Sequence, residues 1–454
     1  MILPNANTQK TIVESIQEKT LAIVRTTPGK MQLFLILVSF FSLLFSLVVY
    51  LEIGQLQRIV KTVGHDSVPS IVAAEKVRAG LADMEANAAN SFFSQGAQEA
   101  KNQYNLDIHT LSKNLVTAAK NITYGAEEED PIDIIAENTG IYEGIVAESR
   151  ALGYPKGLKT LDEANALMDS VLIKSASDLD AVNYNHLNID FKSSENEEAV
   201  VLVILGVILL GALGFLQFYF LKNMHRIVNI PLAIASVLVI FFLIWASYSI
   251  RVTQEKLREV KQDAFDSVHA LYKAKSIAYE ANACESLYLL DIANHEKYQK
   301  KFNELSGQLA QSTDFELIKG SPKPPKEANS PLLEAQIQNI TFPGEEELTR
   351  SMMKSYAEYM SIDEKIRQYE LANQHQDAVL LCTGNALGQS NHAFDQFNSD
   401  IDNVIELNMK YFNEGVATAE GHLAPLSTVG FIVSFLVILL SIWGIYSRWK
   451  EYYS

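Results

Sequence analysis

Four stretches of this chain are wholly apolar, and charge is confined to the segments between them. Met31–Leu51, Ala199–Leu221, Val228–Ile250 and Leu423–Ser447 contain no Asp, Glu, Lys, Arg or His. Each is about 20 residues or longer, enough for an α-helix to cross ~30 Å of hydrocarbon. Soluble core helices rarely run so far without a charge, so the pattern predicts four transmembrane helices. Trp245 and Trp443 fall near helix ends, where interfacial aromatics gather. No apolar core occupies the first 30 residues, so the first span reads as an uncleaved anchor and not as a signal peptide.

The short flanks set an orientation. The N-terminal tail carries Lys10, Lys19, Arg25 and Lys30, the short link carries Lys222 and Arg226, and the C-terminal tail carries Arg448 and Lys450. The positive-inside rule places all three in the cytoplasm and the long acidic stretches outside. The expected order is a cytoplasmic tail (1–30), span 31–51, outer bundle 52–198, span 199–221, link 222–227, span 228–250, outer bundle 251–422, span 423–447 and tail 448–454. The expected location is a bacterial inner membrane.

Between the spans, apolar residues recur at three and four. Val77, Leu81, Met84, Ala88 and Phe92 do so in the first long segment, and Leu257, Val260, Ala264, Val268 and Leu271 in the second. These are the stripes of packed helices. Breakers divide the segments into helices near 45–94, 97–121, 132–151 and 159–198, then 250–290, 293–313, 346–386 and 390–422. Pro69 is expected to kink the first. A chain that leaves and re-enters the membrane needs an even number of antiparallel helices, and four fits. The fold class is therefore an all-α membrane protein with four transmembrane helices and two extracytoplasmic four-helix bundles.

The layout repeats, and so do fragments of sequence in the same order. Glu85-Ala86-Asn87-Ala88 returns as Glu280-Ala281-Asn282-Ala283. Asn121-Ile122-Thr123-Tyr124 with Glu127–Glu129 returns as Asn339-Ile340-Thr341-Phe342 with Glu345–Glu347. Ala151-Leu152-Gly153 returns as Ala386-Leu387-Gly388, and Ser177-Asp178-Leu179-Asp180 as Ser399-Asp400-Ile401-Asp402. The reading is an internal duplication, folded as a pseudo-dimer. The second copy is longer by a Pro-rich stretch at Ser321–Lys326.

Composition narrows the function. The chain has 454 residues, 20% of them charged, and a net charge of −17. No basic surface offsets that balance, which speaks against nucleic-acid binding. Two cysteines cannot build a disulfide scaffold or a four-thiolate zinc site. There is no P-loop, G-x-S-x-G, H-E-x-x-H or C-x-x-C, so the reading is no enzyme and no cofactor. The spans hold no charge, which speaks against a transport path. They do hold small residues suited to helix contact: Gly430 with Ser434, and Gly206, Gly211 and Gly214.

The layout of span, outer four-helix bundle and span resembles the sensor module of bacterial chemoreceptors. The tandem form with small inner tails resembles the GlnX-type membrane protein. That resemblance implies an extracytoplasmic solute-binding protein outside and a cytoplasmic kinase inside as partners. The long cytoplasmic coiled coil of chemoreceptors is missing here. The expected function is a non-enzymatic sensor and signal-relay subunit. The alternatives are a structural scaffold of an envelope complex or a transporter accessory.

Candidate sites are few. Arg78 and Arg150 are possible anion ligands for an amino-acid carboxylate. Tyr154 beside Pro155, and Gln389 in the matching turn, sit at expected bundle tips and are docking candidates. Ile12 and Ile16 belong to a short apolar face in the tail that suits a partner or the membrane surface. Cys284 and Cys382 either form a disulfide in an oxidising compartment or stay buried as free thiols. His375, Cys382 and His392 lack the tight ligand spacing of a zinc site, so no metal is assigned. The Glu triplets suit the positive ends of helices.

Overall fold

The structure, a computed structural model, describes residues 26–93, 97–196, 200–224, 228–321 and 330–453. Ile12 and Ile16, Arg226 of the link and the Pro-rich Pro322–Lys326 lie outside the described residues. Every long element among the described residues is a helix, and none is a strand. In chain order they are α1 (Thr27–Lys61), a π-helical turn (Thr62–Ser67), α2 (Val68–Asn90), α3 (Ala97–Lys120), α4 (Ala126–Leu152), α5 (Leu158–Leu167), a second π-helical turn (Met168–Leu172) and α6 (Ile173–Asn196). Then come α7 (Val200–Met224), α8 (Ile230–Glu259), a third π-helical turn (Val260–Phe265), α9 (Asp266–Leu290), a 3₁₀ turn (Ile292–Asn294), α10 (His295–Leu309), α11 (Phe315–Gly320), α12 (Leu332–Gln338), α13 (Glu345–Leu371), α14 (His375–Thr383) and α15 (Ser390–Tyr453).

The chain divides into two compact units. The first comprises Met1–Val60, Ser193–Glu255 and Thr418–Ser454. Among the described residues, four helices are long and apolar enough to cross a membrane, and all four contribute to this unit. They are apolar around their full circumference, so only 28–33% of each apolar stretch is buried inside the protein. Leu43, Val237, Phe241, Phe435 and Trp443 are left exposed. Such an outward face is stable only in an apolar solvent. The interior is pinned by side chains that reach backbone carbonyls, Ser42 Oγ to Ser434 O at 2.9 Å and Asn229 Nδ2 to Gly444 O at 3.0 Å. Phe45 and Phe242 meet edge to face at 5.8 Å. Gly430 lies directly against Val49 and Gly206 against Leu243, whereas Gly211 and Gly214 approach nothing. Two of the four glycines picked from sequence thus mark a close helix contact.

The second unit comprises Lys61–Lys192 and Lys256–Ala417. One apolar core runs through it and takes residues from both segments. Leu81, Tyr142, Met168 and Leu172 come from the first segment; Leu271, Phe302, Met352, Tyr356 and Phe397 from the second. Helix α2 packs along α9 and α3, and α9 along α10.

Helix positions follow the sequence reading closely, with three differences. The irregularity near Pro69 is a π-helical turn that ends just before it, at Ser67. Proline cannot donate to the carbonyl four residues back, and a wider turn absorbs the missing bond. The third π-helical turn has no proline, so the feature does not depend on one. The expected helix 346–386 is broken after Leu371, where Asn373 adopts a left-handed φ of 58°. Helices α11 and α12 fill the stretch beside the Pro-rich insertion; α11 begins where Asp314 Oδ1 accepts from the Glu316 and Leu317 amides at 3.0 and 3.1 Å.

The two Asn-Ile-Thr turns are built alike. Asn121 Nδ2 donates to Asp66 O and Ser70 Oγ, at 2.9 and 2.6 Å. Asn339 Nδ2 donates to Gln262 O, Asp263 O and Ser267 Oγ, at 3.2, 3.1 and 2.9 Å. Gly125 and Gly344 take φ of 63° and 87°, which an L side chain resists. From the helix that follows, a buried glutamate reaches back: Glu128 Oε2 accepts from the Thr123 and Tyr124 amides, and Glu345 Oε2 from the Thr341 and Phe342 amides. One glutamate of each triplet is thus a backbone cap.

Candidate functional site

A cavity of about 250 Å³ opens in the second unit, between the α2–α3 pair and the α9, α14 and α15 elements. Its floor holds Asn90 and Asn282, both buried. Asp83 and Asn87 form a half-buried wall, and Glu99 and Asp395 stand on the exposed rim. Tyr279 and Phe394 supply an aromatic side, packed edge to face at 5.0 Å. No Lys, Arg or His lines this space. The helical register explains the wall. Asp83, Asn87 and Asn90 step by four and three along α2, so they share one face.

Burial raises the proton affinity of these acids. Burial, with the like charges of Asp107 and Asp395, holds Asp83 well above the usual carboxylate range. Burial also raises Asp395, despite His392. Asp107, behind the wall, is raised by burial although Asn87 and Gln103 donate to it. The Asn90 Oδ1 atom is buried without a hydrogen-bond partner. The arrangement offers acceptors and partial negative charge to a small guest, with aromatic faces that suit a cation.

Asn87 and Asn282 are the matching positions of the repeated Glu-Ala-Asn-Ala fragment, one from each segment. The preceding glutamates are buried as well. Burial drives Glu85 to a pKa of about 8, with Lys301 opposing. Glu280 holds Arg78 in an ion pair of 2.8 Å. Sequence reading used this fragment to argue duplication and missed its place at a cavity. The signal was there, since a glutamate and an asparagine two residues apart interrupt an otherwise alanine-rich core helix twice.

The residues singled out from sequence are scattered. Arg78 is committed to Glu280. Arg150 lies over the Tyr104 ring at 4.2 Å and donates Nε to Ser91 Oγ at 2.8 Å, while its Nη2 is buried without a partner. Neither lines the cavity. Tyr154 is 57% exposed and Pro155 is exposed beside it. Gln389 folds back on its own turn, accepting from the Ala386 amide at 2.8 Å and donating to Leu380 O at 3.3 Å. Cys284 and Cys382 are both buried free thiols. No disulfide joins them; Cys382 Sγ instead lies 3.9 Å from Ser286 Oγ. Burial pushes both thiols up, which makes them poor nucleophiles. His375 pairs with Glu370 at 2.9 Å.

Comparison with protein families matches residues 59–192 to the Actinobacterial sensor domain. The matched stretch holds Asp83, Asn87, Asn90 and Glu99 of the cavity. The match points to a sensor-type protein. Comparison with curated proteins finds no match. Comparison with solved structures finds none either.

Proposed function

We propose that this chain is a non-enzymatic membrane sensor whose acidic, amide-lined cavity takes a small organic cation, such as an amine or guanidinium solute. The observation that carries the reading is the cavity's lining: three carboxylates, six primary amides and two aromatic rings, with no basic side chain. The family match over the first segment supports a sensing role.

In this reading the chain is an internal duplication that folds as a pseudo-dimer, with two outer bundles that share the ligand between them. Both termini lie in the cytoplasm of a bacterium, and the acidic segments lie outside its inner membrane. Ligand in the cavity draws α2 and α9 together, and a small slide of these helices passes inward. The helices Thr27–Asn90 and Ile230–Leu290 stay helical through their π-helical turns, and Ser390–Ser447 runs as one helix, which favours mechanical transmission. An extracytoplasmic solute-binding protein delivers the ligand at Tyr154 and Pro155, and a cytoplasmic kinase reads the tail.

The test is a thermal-shift and calorimetric screen of the full chain in lipid nanodiscs. Arginine, lysine, putrescine and choline are compared with succinate and glutamate. The reading expects saturable binding of a cation and its loss in Asp83→Asn/Asp395→Asn. Preference for the dicarboxylates, or no binding by any cation, overturns it. Deleting residues 1–28 should abolish signalling and leave insertion intact.

A further inference from the structure

The second unit contains another polar cluster that the cavity does not use. Glu75 on α2, Asp180 on α6 and His269 on α9 converge from three helices. One ligand-type atom from each lies within 4.8 Å of the other two. His269 Nε2 is 3.0 and 3.1 Å from the two Asp180 oxygens. Neighbouring ligands around a first-row ion with bonds of about 2.0–2.2 Å sit about 3 Å apart, so this pair is already at ligand spacing. The imidazole is held in place by Tyr184, stacked at 4.5 Å, and by Phe265 at 6.0 Å.

Glu75 supplies the second, independent observation. It is 1% exposed, yet only Oε2 has a partner, Ser276 Oγ at 2.9 Å; Oε1 has none. A buried carboxylate with an empty oxygen is costly unless a proton or a cation meets it. The nearby guanidinium of Arg78 pairs with Glu280 through Nη2 and attracts Glu75 only through space, with no hydrogen bond between them; its own Nε is buried without a partner. Three acids, Glu75, Asp180 and Glu280, thus share one arginine and one imidazole. None of the three converging residues lines the cavity.

We propose that Glu75, Asp180 and His269 form a divalent transition-metal site, with one imidazole nitrogen and two carboxylates as ligands and water completing the shell. One nitrogen and two oxygen donors suit Zn²⁺, Co²⁺ or Mn²⁺ over Ca²⁺. The ion ties α9 of the second segment to α2 and α6 of the first, and its charge answers the empty oxygen of Glu75. Asp180 and His269 are 13% and 15% exposed at their side chains, which leaves a way in.

The experiment uses the full chain in nanodiscs, stripped with chelator and titrated with Zn²⁺ by calorimetry. Zn K-edge absorption spectroscopy of the loaded protein reads the shell. The expected result is one ion per chain, one imidazole in a nitrogen/oxygen shell, and a raised melting temperature. His269→Gln and Glu75→Gln should weaken binding by at least about 10–100-fold, while Asp395→Asn at the cavity leaves it unchanged. Glu75→Gln keeps the acceptor for Ser276, so it serves if His269→Gln does not fold. No stoichiometric ion, a shell without imidazole, or binding lost in Asp395→Asn and kept in Glu75→Gln overturns the proposal.

Discussion

Asp83 and Asp107 meet over a single amide: Asn87 Nδ2 lies 3.0 Å from Asp83 Oδ1 and 2.8 Å from Asp107 Oδ2. Asp107 also accepts from Gln103 Nε2 at 2.9 Å. Burial raises both acids; the amide bonds from Asn87 and Gln103 oppose that rise at Asp107, while the neighbouring Asp107 adds to it at Asp83. The two acids are unequal as a result. Asp83→Asn removes an acid whose charged form burial and Asp107 already penalise, and should cost under about 1 kcal/mol of stability near neutral pH. Asp107→Asn removes the charged acceptor of two amides and should cost about 1–3 kcal/mol. Denaturant unfolding of the two variants checks the order, and a larger loss for Asp83→Asn would contradict the assignment.

Glu85 and Glu285 set a pH dependence. Burial pushes both to a pKa of about 8 from an ordinary 4.5, with Asp363 adding to the effect at Glu285. A raised folded-state pKa means the native state binds more protons than the unfolded chain between those values. Stability from these groups is therefore full below about pH 4.5, falls as the pH rises, and is gone above about pH 8. The melting temperature should decline across that window and level off beyond it. Glu85→Gln/Glu285→Gln should flatten the decline, and an unchanged slope in that variant would show that other groups control it.

The four helices long and apolar enough to cross a membrane were readable from sequence because a charge-free run of such length has few uses outside one. The helices of the acidic segments were readable from their three-and-four stripes. Two things were hidden. The break after Leu371 rests on Asn373 in a left-handed conformation, which asparagine tolerates without advertising it. The polar clusters were hidden because they assemble across long sequence distances. Asn87 and Asn282 line the same cavity, and Glu75 meets Ser276, through the packing of α2 on α9. Arg78 looked available in the sequence because its partner Glu280 lies 202 residues away. Periodicity shows which face of a helix is buried but not which buried polar residue finds which.

Asn121 and Asn339 are each worth testing as structural keys. Each side chain reaches across a turn to the first long helical stretch of its segment, where Asn121 donates to one backbone carbonyl and a serine hydroxyl and Asn339 to two carbonyls and a serine hydroxyl. Alanine at either position strands those groups and should cost about 1–3 kcal/mol. The Asn339 change should be the larger, because it loses two carbonyl contacts and a hydroxyl. Hydrogen exchange should rise locally at Thr62–Ser67 for Asn121→Ala and at Val260–Phe265 for Asn339→Ala. Uniform exchange across the unit would deny the turns this local role.

Arg367 is the cation on which the interior near Glu285 depends. It pairs with Asp363 at 2.7 Å and lies over the rings of Tyr288 and Phe302, at 4.0 and 4.9 Å. Arg367→Ala leaves Asp363 buried without its partner and should cost about 3–5 kcal/mol. Arg367→Ala/Asp363→Leu removes both charges and should recover much of that loss. A double variant no more stable than the single would place the energy in the ring stacking instead.

The glycines beside the π-helical turns separate close packing from mere permissiveness. Gly64, in the first such turn, lies against the branched side chain of Val416, and Gly415 lies against Val260 in the third. A methyl group at either position meets a side chain branched at Cβ, which has little freedom to yield. Gly64→Ala and Gly415→Ala should therefore each destabilise by about 1–3 kcal/mol. Gly140 and Gly144, inside α4, approach nothing within 4 Å. Alanine there should raise stability by about 0.5–1 kcal/mol, because only the helix propensity changes. Thermal melts of the four single variants give the comparison. If Gly64→Ala and Gly415→Ala behave like the α4 pair, the valines move aside and the contact at the π-helical turns is not tight.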